Sequence, residues 1–357
     1  MTSSADPIST VSQRLESFAA ERRAEAADLG AEAVDFVDRA FAAVAGGKRL
    51  RARFLTAGHA VAGVSSDDAD IAGVAASLEI FHAAALVHDD LVDNSDTRRG
   101  RPAAHRALEE AHRRSGWLGD ADAFGRAAAI LLGDLLIAWS DDLLEEAVDG
   151  HRFASDVRRQ YATMRRDVTV GQYLDVAEEA AWATAPDHEH AARALRVASY
   201  KSARYSVQQP LLIGAALGGA TAAQREALAE FGHSVGLAFQ LRDDVLGVFG
   251  DPAVTGKPSG DDLREGKRTV LIAYAREAMD ADGRADLDAA LGDRALDEAT
   301  IGRLQRVIDE SGAVQRLEQE IAQLAAAADA ALDDAPIGDA EIATLREIGQ
   351  AAIQRTA

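Results

Sequence analysis

Apolar residues recur every three or four positions along most of the chain, the spacing of one buried helix face. Only seven prolines interrupt the pattern. We therefore predict an all-α protein without β-strands. The predicted helices run from Ile8 to about Ala45, Ala69 to Val92, Pro102 to Ser115, Ala121 to Val148, Phe153 to Ala183, Asp187 to Leu217 (with a kink at Pro210) and Ala222 to Phe249, with more after Lys267.

The second predicted helix is apolar along most of its length and ends in an acidic cluster. On a helix Asp89 and Asp93 are four residues apart, so both carboxylates project from the same face. Two like charges placed in this way repel each other unless a cation lies between them. Mg²⁺ fits because it takes oxygen ligands and is usually held by one or two carboxylates together with substrate phosphates. Side chains suited to bind phosphate follow at Arg98, Arg99 and Arg101.

A second acidic pair, Asp243 and Asp244, lies near the end of another apolar helix. The glycine-rich loop from Gly250 to Lys267 follows it and carries Lys257 and Lys267. Taken alone, this segment is an ordinary solvent loop. Two acidic helix ends that face one cavity favour the interpretation as a basic lid over phosphate.

The composition restricts the partners and the location. A formal net charge of −21 argues against nucleic acid and anionic membrane surfaces. Cysteine is absent, which excludes disulfides and thiol chemistry. No apolar leader and no run suited to span a bilayer is evident, so we expect a cytoplasmic protein. We interpret residues 1–357 as a single large helical bundle around a central cavity, with residues 1–7 as a loose tail.

Together these features predict the ionisation of a diphosphate ester. Mg²⁺ and basic side chains stabilise the charge that builds up on a departing diphosphate. Walls of Ala, Leu, Val and Phe suit an apolar tail and exclude water from a carbocation. No Ser-His-Asp set is spaced for acyl transfer, and the chain has no P-loop.

Several motifs occur in a fixed order: GGKRLR at 46–51, DDLVD at 89–93, DTRRGRP at 96–102, GDLLIAW at 133–139, GQYLD at 171–175, YKSA at 200–203, FQLRDD at 239–244 and GKPSGDDLREGKRT at 256–269. In this the chain resembles the trans-isoprenyl diphosphate synthase (polyprenyl synthetase) family. The resemblance implies an all-α homodimer that condenses isopentenyl diphosphate head-to-tail with an allylic diphosphate, using Mg²⁺.

The resemblance also implies a role for each matching residue. The catalytic set is Asp89, Asp93, Asp243, Lys201 and Arg98. The metal ligands are Asp89, Asp93 and Asp243, supported by Asp90 and Asp244. The allylic diphosphate is held by Arg98, Lys201, Lys257 and Lys267, with Gln172, Ser202 and Gln240 lining the site. Isopentenyl diphosphate is held by Lys48, Arg51, His82 and Arg99. Without the resemblance, His82 is interpreted as a packed core histidine.

The chain departs from the family pattern at two positions. Many members have a third Asp in the second acidic motif, where this chain has Gly247. This puts a second carboxylate on that wall in doubt, although some members with short products share the feature. Ala52 follows GGKRLR in place of the usual Pro, which we interpret as harmless.

The residues before Asp89 bear on the length of the product. Ala84 and Ala85 lie about one turn below the metal, where farnesyl-type enzymes often have an aromatic floor. Phe81 lies roughly 12 Å down the helix at 1.5 Å per residue. We therefore predict a geranylgeranyl product, with farnesyl or longer prenyl chains as alternatives.

Two other functions remain open. A class I terpene cyclase also ionises an allylic diphosphate, but it usually carries an Asn/Ser/Glu triad where this chain has Asp243 and Asp244. A non-catalytic partner subunit tends to lose the acidic motif, which is intact here.

Overall fold

A computed structural model describes residues 7–63, 68–251 and 259–354. The all-α prediction is confirmed. The described residues divide into two compact units, one of 7–56 and 68–154 and the other of 57–63, 155–251 and 259–354. The single domain remains a prediction. Residues 1–6 of the predicted tail lie outside the described residues, and Pro7 already begins the first helix.

The first unit contains most of the helices that precede residue 154. They are α1 (Pro7–Ala27), α2 (Ala31–Val44), residues 50–56 of α3 (Leu50–Ala60), α4 (Asp68–Val92), α5 (Ala104–Arg114) and α6 (Ala121–Val148). Two short antiparallel strands, β1 (Thr97–Arg98) and β2 (Arg101–Pro102), form a hairpin after α4.

Two predictions for this unit are wrong in detail. The helix expected from Ile8 to about Ala45 breaks at Gly30, whose φ of 106° is a conformation that side chains rarely adopt. The β1–β2 hairpin was not foreseen, because two-residue strands are too short to show an alternating pattern.

Helix α4 forms the core of the first unit and packs lengthwise on α6. Close approach depends on small residues, since a Cβ on Gly73 would lie 2.6 Å from the Cβ of Ala147. Ser140 Oγ donates to the carbonyl oxygen of Ser77 at 2.8 Å. By length and composition α4 is apolar enough to cross a membrane, which the sequence analysis did not recognise, and 72% of its most apolar window is buried inside the protein. Such burial is typical of a core helix.

The second unit contains the remaining elements. They are α7 (Ala154–Ala181), 3₁₀ turns at Trp182–Thr184 and Asp187–Glu189, α8 (His190–Val197), a π-helix (Ala198–Gln208), α9 (Gln209–Gly218), α10 (Ala222–Phe249), α11 (Asp261–Glu265), α12 (Val270–Ala278), α13 (Ala281–Ala290), α14 (Glu298–Glu310), α15 (Ala313–Asp333) and α16 (Asp339–Ile353). Helix α10 packs on the π-helix and on α15. Thr221 and Gln224 form a capping box that fixes the start of α10.

Where a kink was predicted at Pro210, the structure has a π-helix that ends at Gln208, two residues before the proline. Proline has no N–H and its ring crowds the carbonyl four residues earlier, so regular α-helical bonding cannot continue through it. The N–H of Gln209 accordingly donates to the carbonyl oxygen of Arg204, five residues back. π-Helical turns are frequent at functional sites, and this one carries Lys201 and Ser202.

We expect Gly236→Ala to lower the free energy of unfolding, because the new Cβ would lie 2.4 Å from the backbone oxygen of Ala203 on the π-helix. Overpacking of this kind costs about 1–3 kcal/mol. Gly302→Ala is the matched control: its Cβ meets only Arg306 Nη1 at 3.8 Å, and replacing a mid-helix Gly should stabilise by about 0.5–1 kcal/mol. Urea unfolding of both variants measures this, and a shift of the same sign in both would contradict the packing account.

Candidate active site

The acidic end of α4 belongs to the first unit. The N–H of Asp93 donates to the carbonyl oxygen of Asp89 at 2.8 Å, so helical bonding continues one residue past Val92. The side chains of Asp89 and Asp93 therefore share a face of the helix, and both are partly buried. Their donor atoms are carboxylate oxygens, which fit Mg²⁺ better than a softer metal ion.

Arg98 on β1 is held against this acidic end. Its Nε donates to Asp90 Oδ1 at 2.8 Å, and its Nη2 bonds to the same oxygen and to Asp89 Oδ2, the latter at 3.3 Å. Asp90 is buried, so Arg98 offsets the cost of placing its charge inside the protein. The predicted roles of Asp90 at the metal and of Arg98 at phosphate stay predictions.

A small basic cavity lies about two turns earlier on α4. His82 and Glu79 line it from α4, and Arg49 and Arg99 line it from the segments before α3 and after β1. Burial and then the positive charge of Arg51 lower the pKa of His82 well below its ordinary value. The imidazole is therefore neutral at pH 7 and has one N–H that can donate to a phosphate oxygen.

The residues predicted for isopentenyl diphosphate are not all at this cavity. His82 and Arg99 line it, whereas Arg51 is buried nearby and Lys48 is exposed without lining it. The sequence analysis missed Glu79, whose signal was a single carboxylate within an apolar helix, three residues before His82. Arg49 belongs to the run of cations at the start of α3, which opposes the helix dipole and so predicts an anion there, but it was not assigned to isopentenyl diphosphate.

The second acidic pair lies near the end of α10, in the second unit. Asp244 is buried and accepts a hydrogen bond from Gln240 Nε2, one turn earlier, at 2.8 Å. Burial, together with the negative charges of Asp262 and Asp243, raises the pKa of Asp244 to about 7. A cation beside this pair would relieve the repulsion.

The space beside Gly247 is taken by another carboxylate. A Cβ on Gly247 would lie 1.9 Å from Asp262 Oδ2, so a side chain at this position and Asp262 in its present place exclude each other. Asp262 is on α11, and Lys267 follows the end of that helix. Lys267 Nζ lies 3.6 Å from Asp262 Oδ1 and 2.7 Å from Glu265 Oε2. The sequence analysis did not assign Asp262, because only the folded chain brings its carboxylate beside Gly247.

The π-helix positions Lys201 in the second unit. Its Nζ donates to Asp175 Oδ2, on α7, at 2.5 Å. Gly171 makes this approach possible, since a Cβ there would lie 2.4 Å from the backbone nitrogen of Lys201. Gln172 and Ser202 are partly buried beside them in the chain.

The predicted phosphate ligand Lys257 lies outside the described residues. Across 7–63, 68–251 and 259–354, no group of three or more His, Asp and Glu side chains is arranged as a ready metal site.

The chain is similar to a group of known proteins. It is 30% identical to a short chain isoprenyl diphosphate synthase from Methanocaldococcus jannaschii, over 75% of this chain and 74% of that protein. It is 36% identical to a geranylgeranyl diphosphate synthase from Mycobacterium tuberculosis, over 67% of this chain and 61% of that one.

A solved structure extends the similarity over nearly the whole chain. The geranylgeranyl pyrophosphate synthase from Corynebacterium glutamicum, solved with isoprenyl diphosphate and magnesium, is 37% identical and superposes with a TM-score of 0.92 over 98% of both chains. The family model described as Polyprenyl synthetase matches residues 36–308. The chain therefore belongs to the polyprenyl synthetase family, the trans-prenyl diphosphate synthases.

Proposed function

We propose that this protein condenses isopentenyl diphosphate with an allylic diphosphate to give a linear trans-prenyl diphosphate, geranylgeranyl diphosphate. The observation that carries the proposal is the arrangement of α4, which presents the Asp89–Asp93 pair and, two turns earlier, His82 in a cavity with Arg49 and Arg99. One helix thus combines ligands for a metal–diphosphate with an anion site.

The reaction begins with cleavage of the allylic C–O bond, whose electron pair leaves with the diphosphate. Mg²⁺ bound by Asp89 and Asp93 would supply positive charge to that leaving group. Arg98, held at Asp90, lies beside the same carboxylates and can donate to phosphate oxygens. The isopentenyl double bond then attacks the allylic C1, and a proton is lost to the released diphosphate.

The second unit carries its own set of cations and carboxylates. Lys201 and Lys267 are each kept close to a carboxylate, Lys201 by Asp175 and Lys267 by Glu265. These pairs hold the ammonium groups in place for diphosphate oxygens. Asp262, beside Gly247, supplies the carboxylate that the second acidic motif lacks.

Product analysis tests the proposal. Purified protein is incubated with Mg²⁺, isopentenyl diphosphate and, in separate reactions, dimethylallyl, geranyl or farnesyl diphosphate, and the products are identified by mass spectrometry. A C20 prenyl diphosphate supports the proposal, and a linear product of another length overturns the assignment of length. A cyclic hydrocarbon formed without isopentenyl diphosphate, or no product from any combination, overturns the proposal that the protein is a prenyl diphosphate synthase.

We expect Asp89→Ala and Asp243→Ala to lower kcat by orders of magnitude, and Asp262→Asn by about tenfold or more, without loss of the fold. Each change removes a charge that acts mainly in the transition state. Asp282→Ala, at an exposed position on α13, is the control and should retain activity. Steady-state kinetics and circular dichroism measure both effects. Near wild-type turnover in Asp89→Ala would refute the metal assignment.

We expect Ala85→Phe to shorten the product, because Ala85 lies one turn below Asp89 and a phenyl ring there would block the path of the tail. Phe81 and Ala84 are buried on the same helix, and Phe81 is proposed as the floor of the natural product cavity. Mass spectrometry of the product reports its length. An unchanged C20 product would show that the tail does not pass Ala85.

We also propose that the protein acts in the cytoplasm as a homodimer. In support, α6 carries an exposed stripe at helical spacing, formed by Ala123, Ala127, Ile130, Leu131 and Ala138. Leu131 is 61% exposed, and although the exposed Asp134 interrupts the stripe, exposed apolar residues grouped on one helix face are typical of interfaces.

Leu131→Glu is therefore expected to shift the protein from dimer to monomer in analytical ultracentrifugation. Leu29→Glu, which changes an exposed leucine between α1 and α2, should leave the dimer intact. A wild-type protein that sediments as a monomer would contradict the homodimer.

A further inference from the structure

Arg49 occupies a strained position at the basic cavity of the first unit. Its φ of 50° lies in the left-handed region, which is rare and unfavourable for residues other than glycine. It stands immediately before α3 and lines the cavity together with Glu79, His82 and Arg99. Strain of this kind persists where the surrounding contacts fix the residue.

Glu79 supplies the contact that fixes Arg49. Arg49 Nη1 donates to Glu79 Oε2 at 3.3 Å, and the N–H of Ala52 donates to Glu79 Oε1 at 3.3 Å. The side chain of Glu79 is 6% exposed and that of Arg49 14%. The buried carboxylate therefore ties both the guanidinium and the first turn of α3 to α4.

Arg99 forms the opposite wall of the cavity, and its φ of 53° lies in the same left-handed region as that of Arg49. Arg99 is exposed, and its Nη1 donates only to the backbone oxygen of Ala45, at 3.1 Å, among the bonds of this side chain that the structure describes. The cavity has a volume of about 10 Å³, roughly the least that holds one water molecule. Of the two arginines that line the cavity, Arg49 is the more buried, and its guanidinium is paired with a carboxylate.

The charges of Glu79 and Arg49 indicate why the position of Arg49 matters. The carboxylate of Glu79 lies in a cavity that is proposed to bind a diphosphate. Without a paired cation, its negative charge would repel that diphosphate. The guanidinium of Arg49 covers this carboxylate and still has N–H groups left to donate. The positive charge of Arg49 also contributes, after burial and three other arginines, to the lowered pKa of His82. Arg49 therefore acts electrostatically on the same imidazole.

We propose that Arg49 binds the diphosphate of the isopentenyl substrate directly and that Glu79 positions it. This inference rests on the proposed function, since it names a further ligand of the same substrate. It goes beyond the residues that the resemblance implies for this diphosphate, which are Lys48, Arg51, His82 and Arg99.

The test separates substrate binding from the chemical step. Arg49→Gln should raise KM for isopentenyl diphosphate by about 10–100-fold, equivalent to one or two factors of ten in affinity, with kcat and KM for the allylic substrate changed less than threefold. Arg49→Lys keeps the charge but loses the planar fork, so its KM should lie between those of the wild type and Arg49→Gln. Arg23→Gln, which breaks a surface pair with Asp38 in the same unit, is the matched control.

The double variant Arg49→Gln/Glu79→Gln covers the case in which Arg49→Gln fails to fold because Glu79 is left buried without its cation. It should unfold at a temperature close to that of the wild type and still have KM for isopentenyl diphosphate at least fivefold higher. If that KM returns to the wild-type value, or if both substrates' KM values rise equally, Arg49 is structural and the inference is wrong.

A binding measurement keeps this test separate from that of the proposed function. Calorimetric titration of the full chain with inorganic diphosphate requires no turnover. Weaker binding in the double variant than in the Arg23→Gln control supports Arg49 even if no prenyl product forms, in which case only the proposed function fails. If the double variant and the Arg23→Gln control bind diphosphate equally and the enzyme makes a prenyl diphosphate, the inference about Arg49 is wrong and the proposed function stands.

Discussion

The candidate site depends on the compensation of carboxylates that are placed within apolar helices. An ionised carboxylate loses several kcal/mol of hydration when it is buried, and it is tolerated only with a cation or good hydrogen bonds nearby. In the first unit two buried carboxylates are paired in this way, and in the second unit a partly buried one is paired with a lysine. Arg98 compensates Asp90, Arg49 compensates Glu79, and Lys201 is held by Asp175.

These pairs have a second consequence, because each one also fixes a cation. A free lysine or arginine side chain loses up to about 2 kcal/mol of conformational entropy when it is ordered on a ligand. In Arg98, Arg49 and Lys201 much of that loss has already occurred in the folded protein. The paired carboxylates thus weaken the attraction between these cations and an anion. They also hold each cation in a fixed position, so less conformational entropy is lost when the anion binds.

The long helices with many buried apolar residues were predicted from the sequence. Helices α6 and α10 have the predicted ends, and α4 begins one residue early, because long apolar segments leave little freedom once their ends are set by capping residues or glycine. The break at Gly30 was missed because helical spacing continues on both sides of it. The π-helix was missed because Pro210 indicates only that α-helical bonding fails, and tertiary packing decides how the backbone adapts.

Local sequence reasoning identified the acidic motifs but not the residues that complete them. Glu79 could be found from its isolation in an apolar helix, whereas Asp262 could not be found from local sequence. The residue lies fifteen positions after Gly247, and only the fold brings its carboxylate to within 1.9 Å of where a side chain at 247 would start. The position that lacks a carboxylate along the chain therefore has one beside it in the fold.

The same geometry explains why Asp244 is unfavourable without a counter-ion. Burial first, and then the neighbouring carboxylates Asp262 and Asp243, raise its pKa from 3.8 to about 7. The folded chain thus binds this proton more tightly than the unfolded chain, so the stability that Asp244 contributes is full below about pH 4 and is lost as the pH rises towards 7. A divalent cation at the pair would replace the proton and restore that stability at neutral pH. If Mg²⁺ binds beside this pair, it would therefore compete with the proton on Asp244.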